Sequence, residues 1–176
     1  MTTATLAELL AEYDRALGYT EALWSDLTPE QVHWRESEEA SGIGWHLGHQ
    51  AAVAHFMVRN LTAAEPRIDP ELDRLMDSAT PEVDRGDLPD LDRLRTYRDT
   101  VADRVRFRVR EIDAGRVGAP DQLRLVARTL MLGIINHEYQ HSTWIGETRT
   151  GVHGLALPDL PSSERLSVVD GYVVVQ

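Results

Sequence analysis

The chain has 176 residues, a hydrophobic fraction of 42% and a net charge of −11, which is typical of one globular domain with a substantial core. The negative charge argues against nucleic acids and anionic membranes as partners, because both attract clustered positive charge. Cysteine is absent, which excludes disulfides, thiolate metal ligands and cysteine nucleophiles. No signal peptide is evident, and no apolar run approaches the roughly 18 residues of a membrane span, so we expect a cytoplasmic protein.

Apolar residues that recur at steps of three and four predict two long helices in the first third of the chain. The first covers about residues 4–26. Thr28, which is followed by proline, predicts the cap of a short helical turn. The loop after this turn is expected to bury Trp34, and Ser41 is the predicted cap of a second long helix that ends near residue 63.

The rest of the chain predicts two more long helices and an extended tail. Residues 64–88 are rich in Pro and Asp and predict a long connection, with one helical turn around Glu71–Asp77. A third helix is predicted over about 88–113, with an ion-paired outer face, and a fourth over about 121–151, whose apolar middle makes it the most buried element. The tail over 166–175 contains Asp-Gly and predicts a small β-hairpin, or an extended arm packed on the bundle or on a partner chain. Four long helices with one extended connection indicate a four-helix bundle.

Two histidine clusters in apolar, helical stretches are the candidates for chemistry. His137 and His141 are four residues apart, which places them about 40° apart around a helix, so both imidazoles can reach one point. Burying imidazoles without partners is costly, whereas a shared metal ion satisfies all of them. Either His46 or His49 of the second long helix can supply a third nitrogen, which leaves an open position for water or substrate.

Glu138 lies within the second cluster and completes the string H-E-x-x-H of zinc metallopeptidases. In those enzymes the glutamate acts as general base on zinc-bound water. The extended motif has glycine three residues after the second histidine and a ligand histidine three further on, and these positions hold Trp144 and Glu147 here. A small zinc hydrolase is therefore an alternative hypothesis. Glu138 equally suits the orientation of a ligand imidazole.

Two motifs and one turn together resemble a known family. They are Trp45-His46-Leu47-Gly48-His49 at the start of the second long helix, the pair His137 and His141 in the last one, and Leu27-Thr28-Pro29-Glu30-Gln31 after the first. This set is similar to the DinB superfamily, also called the DinB/YfiT-like metalloenzymes, over nearly the whole chain. The resemblance implies an all-α four-helix bundle of DinB/YfiT-like type. It further implies a long connection between helices two and three, a short extended C-terminal tail and one DinB-like domain over residues 1–176.

The resemblance also implies a metal site and a reaction. Its metal triad corresponds to His49, His137 and His141, and three imidazoles suit Zn, Ni or Fe as the divalent ion. The family includes metal-dependent thiol S-transferases and related detoxification enzymes that use bacillithiol, mycothiol or glutathione. An open metal position can lower the pKa of a thiol and present a thiolate to an electrophile. The expected partners are therefore a small-molecule thiol and an electrophile, and the expected assembly is a homodimer.

Four more residues are expected to complete the site. Glu138 and His46 are the candidates for proton transfer, and Trp45 and Trp144 for contact with the substrate. Trp144 stands where many family members have glutamine, and it is expected to form an aromatic wall near the metal. The histidine motifs are particularly similar to the DinB-like domain of ergothioneine-type sulfoxide synthases, whose oxygen chemistry needs a second large domain and is not carried over. A non-catalytic, stress-related metal-binding bundle is the other alternative.

Overall fold

The computed structural model describes residues 4–62 and 65–176, and four long helices in these ranges form a bundle. The helices are α1 (Leu6–Trp24), α2 (Pro29–His33), α3 (Ile43–Thr62), α4 (Pro70–Leu75), α5 (Leu91–Asp113) and α6 (Pro120–Gly151), and the strands are β1 (Leu166–Val169) and β2 (Tyr172–Val175). A 3-10 turn covers Glu82–Asp84. The helix α6 packs against α1 and α3, and α3 packs against α5, so the long helices follow one another around the bundle as α1, α6, α3 and α5. The predicted all-α four-helix bundle is confirmed. In the described ranges, no helix combines the length and apolarity that crossing a membrane requires.

Side-chain caps begin the first two helices. At α1, the Thr5 hydroxyl accepts a hydrogen bond from the Glu8 backbone N–H, and the Glu8 carboxylate accepts the Thr5 N–H at 2.7 Å. Thr28 and Gln31 form the same reciprocal pair at α2, with Pro29 in the first turn. The predicted cap at Thr28 is confirmed.

Two expectations for the segment between α2 and α3 are wrong. Ser41 does not cap α3, because its hydroxyl accepts a hydrogen bond from Arg85 at 2.9 Å, while the Gly42 carbonyl accepts the first hydrogen bonds from the helix. Trp34 is not buried beneath the loop, since its side chain is 38% exposed and its ring meets the edge of His153. Both departures arise from contacts with segments distant in sequence, which local patterns do not specify.

The first turns of α6 are more exposed than the sequence predicts. Leu125 and Val126 are 68% and 46% exposed, whereas Ile134 and Ile135 are buried. The helix has 32 residues and is about 48 Å long, whereas α1 and α3 have 19 and 20 residues. Neither neighbour can cover it along its whole length, so the prediction that α6 is the most buried element is wrong for its N-terminal part.

The long connection between α3 and α5 folds onto α3. Its predicted helical turn is α4, and the Asp69 carboxylate caps it by accepting hydrogen bonds from two backbone N–H groups. Leu72, Leu75 and Met76 are buried in the core. The connection therefore forms a wall against the N-terminal half of α3, where the first histidine cluster lies.

The C-terminal tail forms a hairpin on α6, as the Asp-Gly pair predicts. Strands β1 and β2 are antiparallel, with Leu166 opposite Val175. Asp170 and Gly171 have φ values of 51° and 86°, which are the two positive angles of a type I′ turn. The Asn136 side chain of α6 accepts the Val175 N–H at 2.7 Å and donates to the Val175 carbonyl at 3.3 Å. This amide holds the hairpin on the bundle.

Replacing Asn136 by alanine is expected to lower the free energy of unfolding by about 1–3 kcal/mol, because it leaves both backbone groups of buried Val175 without partners. Urea denaturation measures the change, and hydrogen exchange at the Val175 amide reports the local loosening. Gln140→Ala, at an exposed position on the same helix, is the control and should change neither quantity. Equal stability of the two variants would show that the amide does not hold the hairpin.

Candidate metal centre

Three histidines converge between α3 and α6. His49 of α3 and His137 and His141 of α6 each offer a nitrogen, and these atoms lie within 4.8 Å of one another. The ring centroid of His49 lies 5.1 Å from that of His137 and 4.9 Å from that of His141. The centroids of His137 and His141 are 4.4 Å apart. The four-residue spacing and the packing of α3 on α6 therefore assemble the expected triad.

His49 is oriented by its neighbours. Its Nδ1 lies 2.6 Å from the Met76 carbonyl oxygen. A carbonyl only accepts, so Nδ1 carries the proton and Nε2 keeps the lone pair that a metal needs. The Trp45 ring stacks on His49 at 4.5 Å and 12°, and its indole N–H donates to the Leu75 carbonyl at 3.2 Å. The Arg85 guanidinium covers the Trp45 ring at 3.9 Å.

Gly48 allows the connection to approach this closely. A Cβ at this position would overlap the Met76 side chain, because the Sδ, Cε and Cγ atoms of Met76 would all be closer to it than van der Waals contact allows. Met76 is fully buried and its carbonyl holds His49, so its displacement would disturb that hydrogen bond. The glycine inside the first cluster is thus required by a close approach between two segments.

His46 and Trp144 flank the triad at His141. The His46 Nδ1 lies 2.9 Å from the His141 Nδ1, so one nitrogen donates and the other accepts. This contact leaves Nε2 of His141 for a metal. The Trp144 ring meets His141 edge-on, with centroids 4.7 Å apart and an angle of 85°. Trp144 thus lies against a histidine of the triad, and His46 lies beside the converging nitrogens rather than among them.

Burial keeps the clustered imidazoles neutral. The pKa of His141 is lowered to about 2 by burial, together with repulsion from the adjacent His137 and His46. Burial also lowers the pKa of His137 and of His46 to about 4, and it lowers the pKa of His49. All four rings are therefore uncharged near pH 7, and neutral imidazole is the form that binds metals.

The donor set fits a divalent transition metal. The converging group consists of three neutral imidazoles and, among the described residues, contains no carboxylate. Three nitrogen ligands with a fourth position open are typical of catalytic zinc sites, and Ni²⁺ and Fe²⁺ also accept imidazole. The structure supports a divalent metal ion in this place.

Glu138 does not join the histidines. Its side chain is buried, and Oε1 accepts hydrogen bonds from Arg98 at 2.8 Å and from Thr20 at 2.7 Å. A metallopeptidase needs this glutamate beside the metal-bound water, whereas here the carboxylate neutralises a buried guanidinium. This geometry corrects the expectation of a general base at Glu138 and argues against the H-E-x-x-H hydrolase.

Arg98 is the residue that sequence reasoning missed. The sequence predicts an ion-paired outer face for this helix and does not single out Arg98, which is only 7% exposed and whose guanidinium also donates to the Leu47 carbonyl and to Gln50. The available signal is its position four residues after Leu94 and three before Val101, both on the apolar face of the helix. An arginine on that face requires a buried acceptor.

A cavity of about 500 Å³ lies beside the centre and shares His49 with it. It lies between α3, which contributes Val53 and Phe56, and the connection, which contributes Met76. A volume of this order accommodates a small organic molecule. The side of the centre that faces the connection therefore offers space for a substrate.

His55 lies away from the triad, because six residues of helix place it about 240° around α3 from His49. Its Nδ1 is 3.7 Å from the Asp73 carboxylate, and its Nε2 accepts a hydrogen bond from Arg104 at 3.1 Å. His153 is also remote and donates to the Gln31 carbonyl at 3.1 Å. Neither side chain contributes to the converging nitrogens.

Replacing Glu138 by glutamine is expected to lower the free energy of unfolding by about 3 kcal/mol, because the buried Arg98 would lose its counter-charge. Chemical denaturation measures the change. Glu147→Gln, at an exposed position on the same helix, is the matched control and should be nearly neutral. An E138Q variant with unchanged stability that had lost a hydrolytic activity would instead support the general-base role.

Gly48→Ala is expected to weaken metal binding by about 10- to 100-fold, because displacing Met76 disturbs the hydrogen bond that orients His49. Competition with a chromophoric chelator measures the affinity. Gly133→Ala makes the same change on α6, where a Cβ meets nothing within 4 Å, and should leave the affinity unchanged. Identical affinities in the two variants would contradict this role of the glycine.

A family model accounts for most of the chain. It describes the DinB superfamily and matches residues 12–145, a range that contains both histidine clusters. No match was found among curated proteins. The bundle, the placement of the histidines on α3 and α6 and the extent of the match agree, and the protein belongs to the DinB superfamily.

Proposed function

We propose that the protein is a metal-dependent transferase that joins a low-molecular-weight thiol to an electrophilic small molecule. The observation that carries the proposal is the convergence of three neutral imidazole nitrogens beside a cavity of about 500 Å³. Membership of the DinB superfamily supports it. The chain has no cysteine, so a reactive sulfur at this site comes from a cosubstrate.

The residues around the site have distinct tasks in this proposal. His49, His137 and His141 hold the ion, which would be Zn, Ni or Fe and would lower the pKa of a coordinated thiol. The Met76 carbonyl keeps His49 in the tautomer that leaves Nε2 free. Because Nε2 of His141 is kept for the ion, its Nδ1 carries the proton and donates to the Nδ1 of His46. The Nε2 of His46 therefore carries a hydrogen and would donate it to the bound sulfur or to the leaving group, while the thiol proton is released to water.

Trp45 and Trp144 are the proposed substrate contacts. Trp45 covers one face of His49, and Trp144 meets the edge of His141. Large aromatic surfaces beside the ligands exclude water, which strengthens the electrostatic interactions of a bound thiolate. The same two rings limit the size of the electrophile that reaches the ion.

The proposal includes a cytoplasmic location and a homodimer. Low-molecular-weight thiols are maintained in reduced form in the cytoplasm, which suits a transferase that consumes them. Val168 and Tyr172 of the C-terminal hairpin are 64% and 38% exposed, so the hairpin offers apolar surface for a second subunit.

Replacing His49 by alanine is expected to abolish both metal binding and thiol-dependent consumption of an electrophile. The variant keeps only two of the three imidazole ligands that such a metal site requires. Protein purified without chelators is analysed for metal and assayed with glutathione, mycothiol and bacillithiol against an aryl halide and an epoxide. His153→Ala removes a histidine outside the triad and should retain both properties.

Two results would contradict the proposal in different ways. Metal-loaded protein without turnover for any thiol and electrophile would favour the non-catalytic metal-binding bundle. Absence of metal from the wild-type protein under metal-replete conditions would refute the site itself.

A further inference from the structure

The cavity beside the metal centre has an apolar middle and a basic end. His49, Val53, Phe56 and Arg59 follow one another along α3 at steps of three or four residues, and all of them line the cavity. Ten residues of helix rise by about 15 Å, so the backbone of Arg59 lies that far along α3 from the backbone of His49. The cavity therefore extends from the metal centre towards a guanidinium group.

The two acidic residues of the opposite wall, Asp73 and Asp77, belong to the connection. Asp73 accepts a hydrogen bond from the Tyr97 hydroxyl at 2.9 Å and lies 3.9 Å from the Arg67 guanidinium. Asp77 accepts a backbone N–H from Ala79 at 2.9 Å, and within the described residues no cationic group lies within 4.0 Å of it. Asp73 therefore offsets the charge of Arg67, whereas Asp77 stabilises a turn of the connection without a counter-charge.

Two further arginines of the cavity, Arg59 and Arg74, have no such neutralisation. Most arginines of the chain have a carboxylate oxygen within 4.0 Å, including Arg93, Arg98 and Arg149. Within residues 4–62 and 65–176, neither Arg59 nor Arg74 has one. Arg59 is half-buried and Arg74 is exposed. Against the carboxylate of Asp77, these two guanidinium groups leave the cavity with an excess of positive charge, which suits an anionic ligand.

We propose that this cavity binds a carboxylate-bearing thiol, with Arg59 and Arg74 holding the carboxylate and the sulfur directed to the histidine end. Guanidinium groups match carboxylates through paired, charge-assisted hydrogen bonds. Val53 and Phe56 suit the aliphatic middle of such a ligand. A tripeptide-sized molecule extends about 10 Å, and long arginine side chains reach back towards it. The identity of the sulfur end rests on the proposed function, whereas recognition of the carboxylate does not.

Calorimetric titration of the full chain, loaded with Zn²⁺, with S-methylglutathione tests the proposal. This probe has the carboxylates of a tripeptide thiol but a blocked sulfur, so it reports the basic end of the cavity without any reaction. The double variant Arg59→Gln, Arg74→Gln is expected to bind it about tenfold more weakly or worse, because charged hydrogen bonds are lost. The dimethyl ester of the probe should bind as weakly to the wild-type protein.

The matched control is the double variant Arg35→Gln, Arg110→Gln, which removes the same charge at exposed positions outside the cavity and should bind like the wild type. Equal weakening in both double variants would refute a local site, because net charge alone would explain it. Equal binding of the acid and its ester, or no binding of the acid, would also overturn the inference. Failure of thiol transfer with intact binding of the blocked probe would refute only the proposed function.

Discussion

The buried ion pair between Arg98 and Glu138 is the constraint on which the arrangement of the four long helices depends. Two charges removed from water are tolerated only when they are paired and their remaining hydrogen bonds are satisfied. Thr20 of α1 and Gln50 of α3 meet this requirement, together with Ser142 of α6, which accepts from Gln50 and contacts Thr20. The pair thus engages every long helix, and a shift of any one of them would remove a charge partner or a hydrogen bond from a buried charged group.

This polar network sets the register in which the metal centre forms. Gln50 directly follows His49, and it donates to the Glu138 backbone carbonyl at 2.8 Å, next to His137. The network therefore fixes α3 against α6 beside the triad. The histidines share the same dry interior, which keeps them uncharged and available to a metal. The ion pair and the metal centre therefore both depend on the same packing of α3 against α6.

The connection between α3 and α5 decides what reaches the metal. It supplies the Met76 carbonyl that orients His49, the surface against which Trp45 is held, and one wall of the cavity. It also contributes Arg74 to the lining of the cavity, to which α3 contributes Arg59. In a family that shares one bundle, such a segment can change the substrate without changing the ligands, because loops tolerate variation that a packed core does not.

The sequence by itself determined the long helices, the cap at Thr28, the hairpin turn and the pairing of His137 with His141, because each follows from local periodicity or turn chemistry. The family resemblance then indicated His49 as the third nitrogen. Only the tertiary structure decided that Arg98 is buried and that Glu138 pairs with it instead of joining the metal site. That ion pair joins residues of two helices that are distant in sequence, and local spacing carries no information about which faces will meet. The cavity and its charges depend on tertiary packing for the same reason.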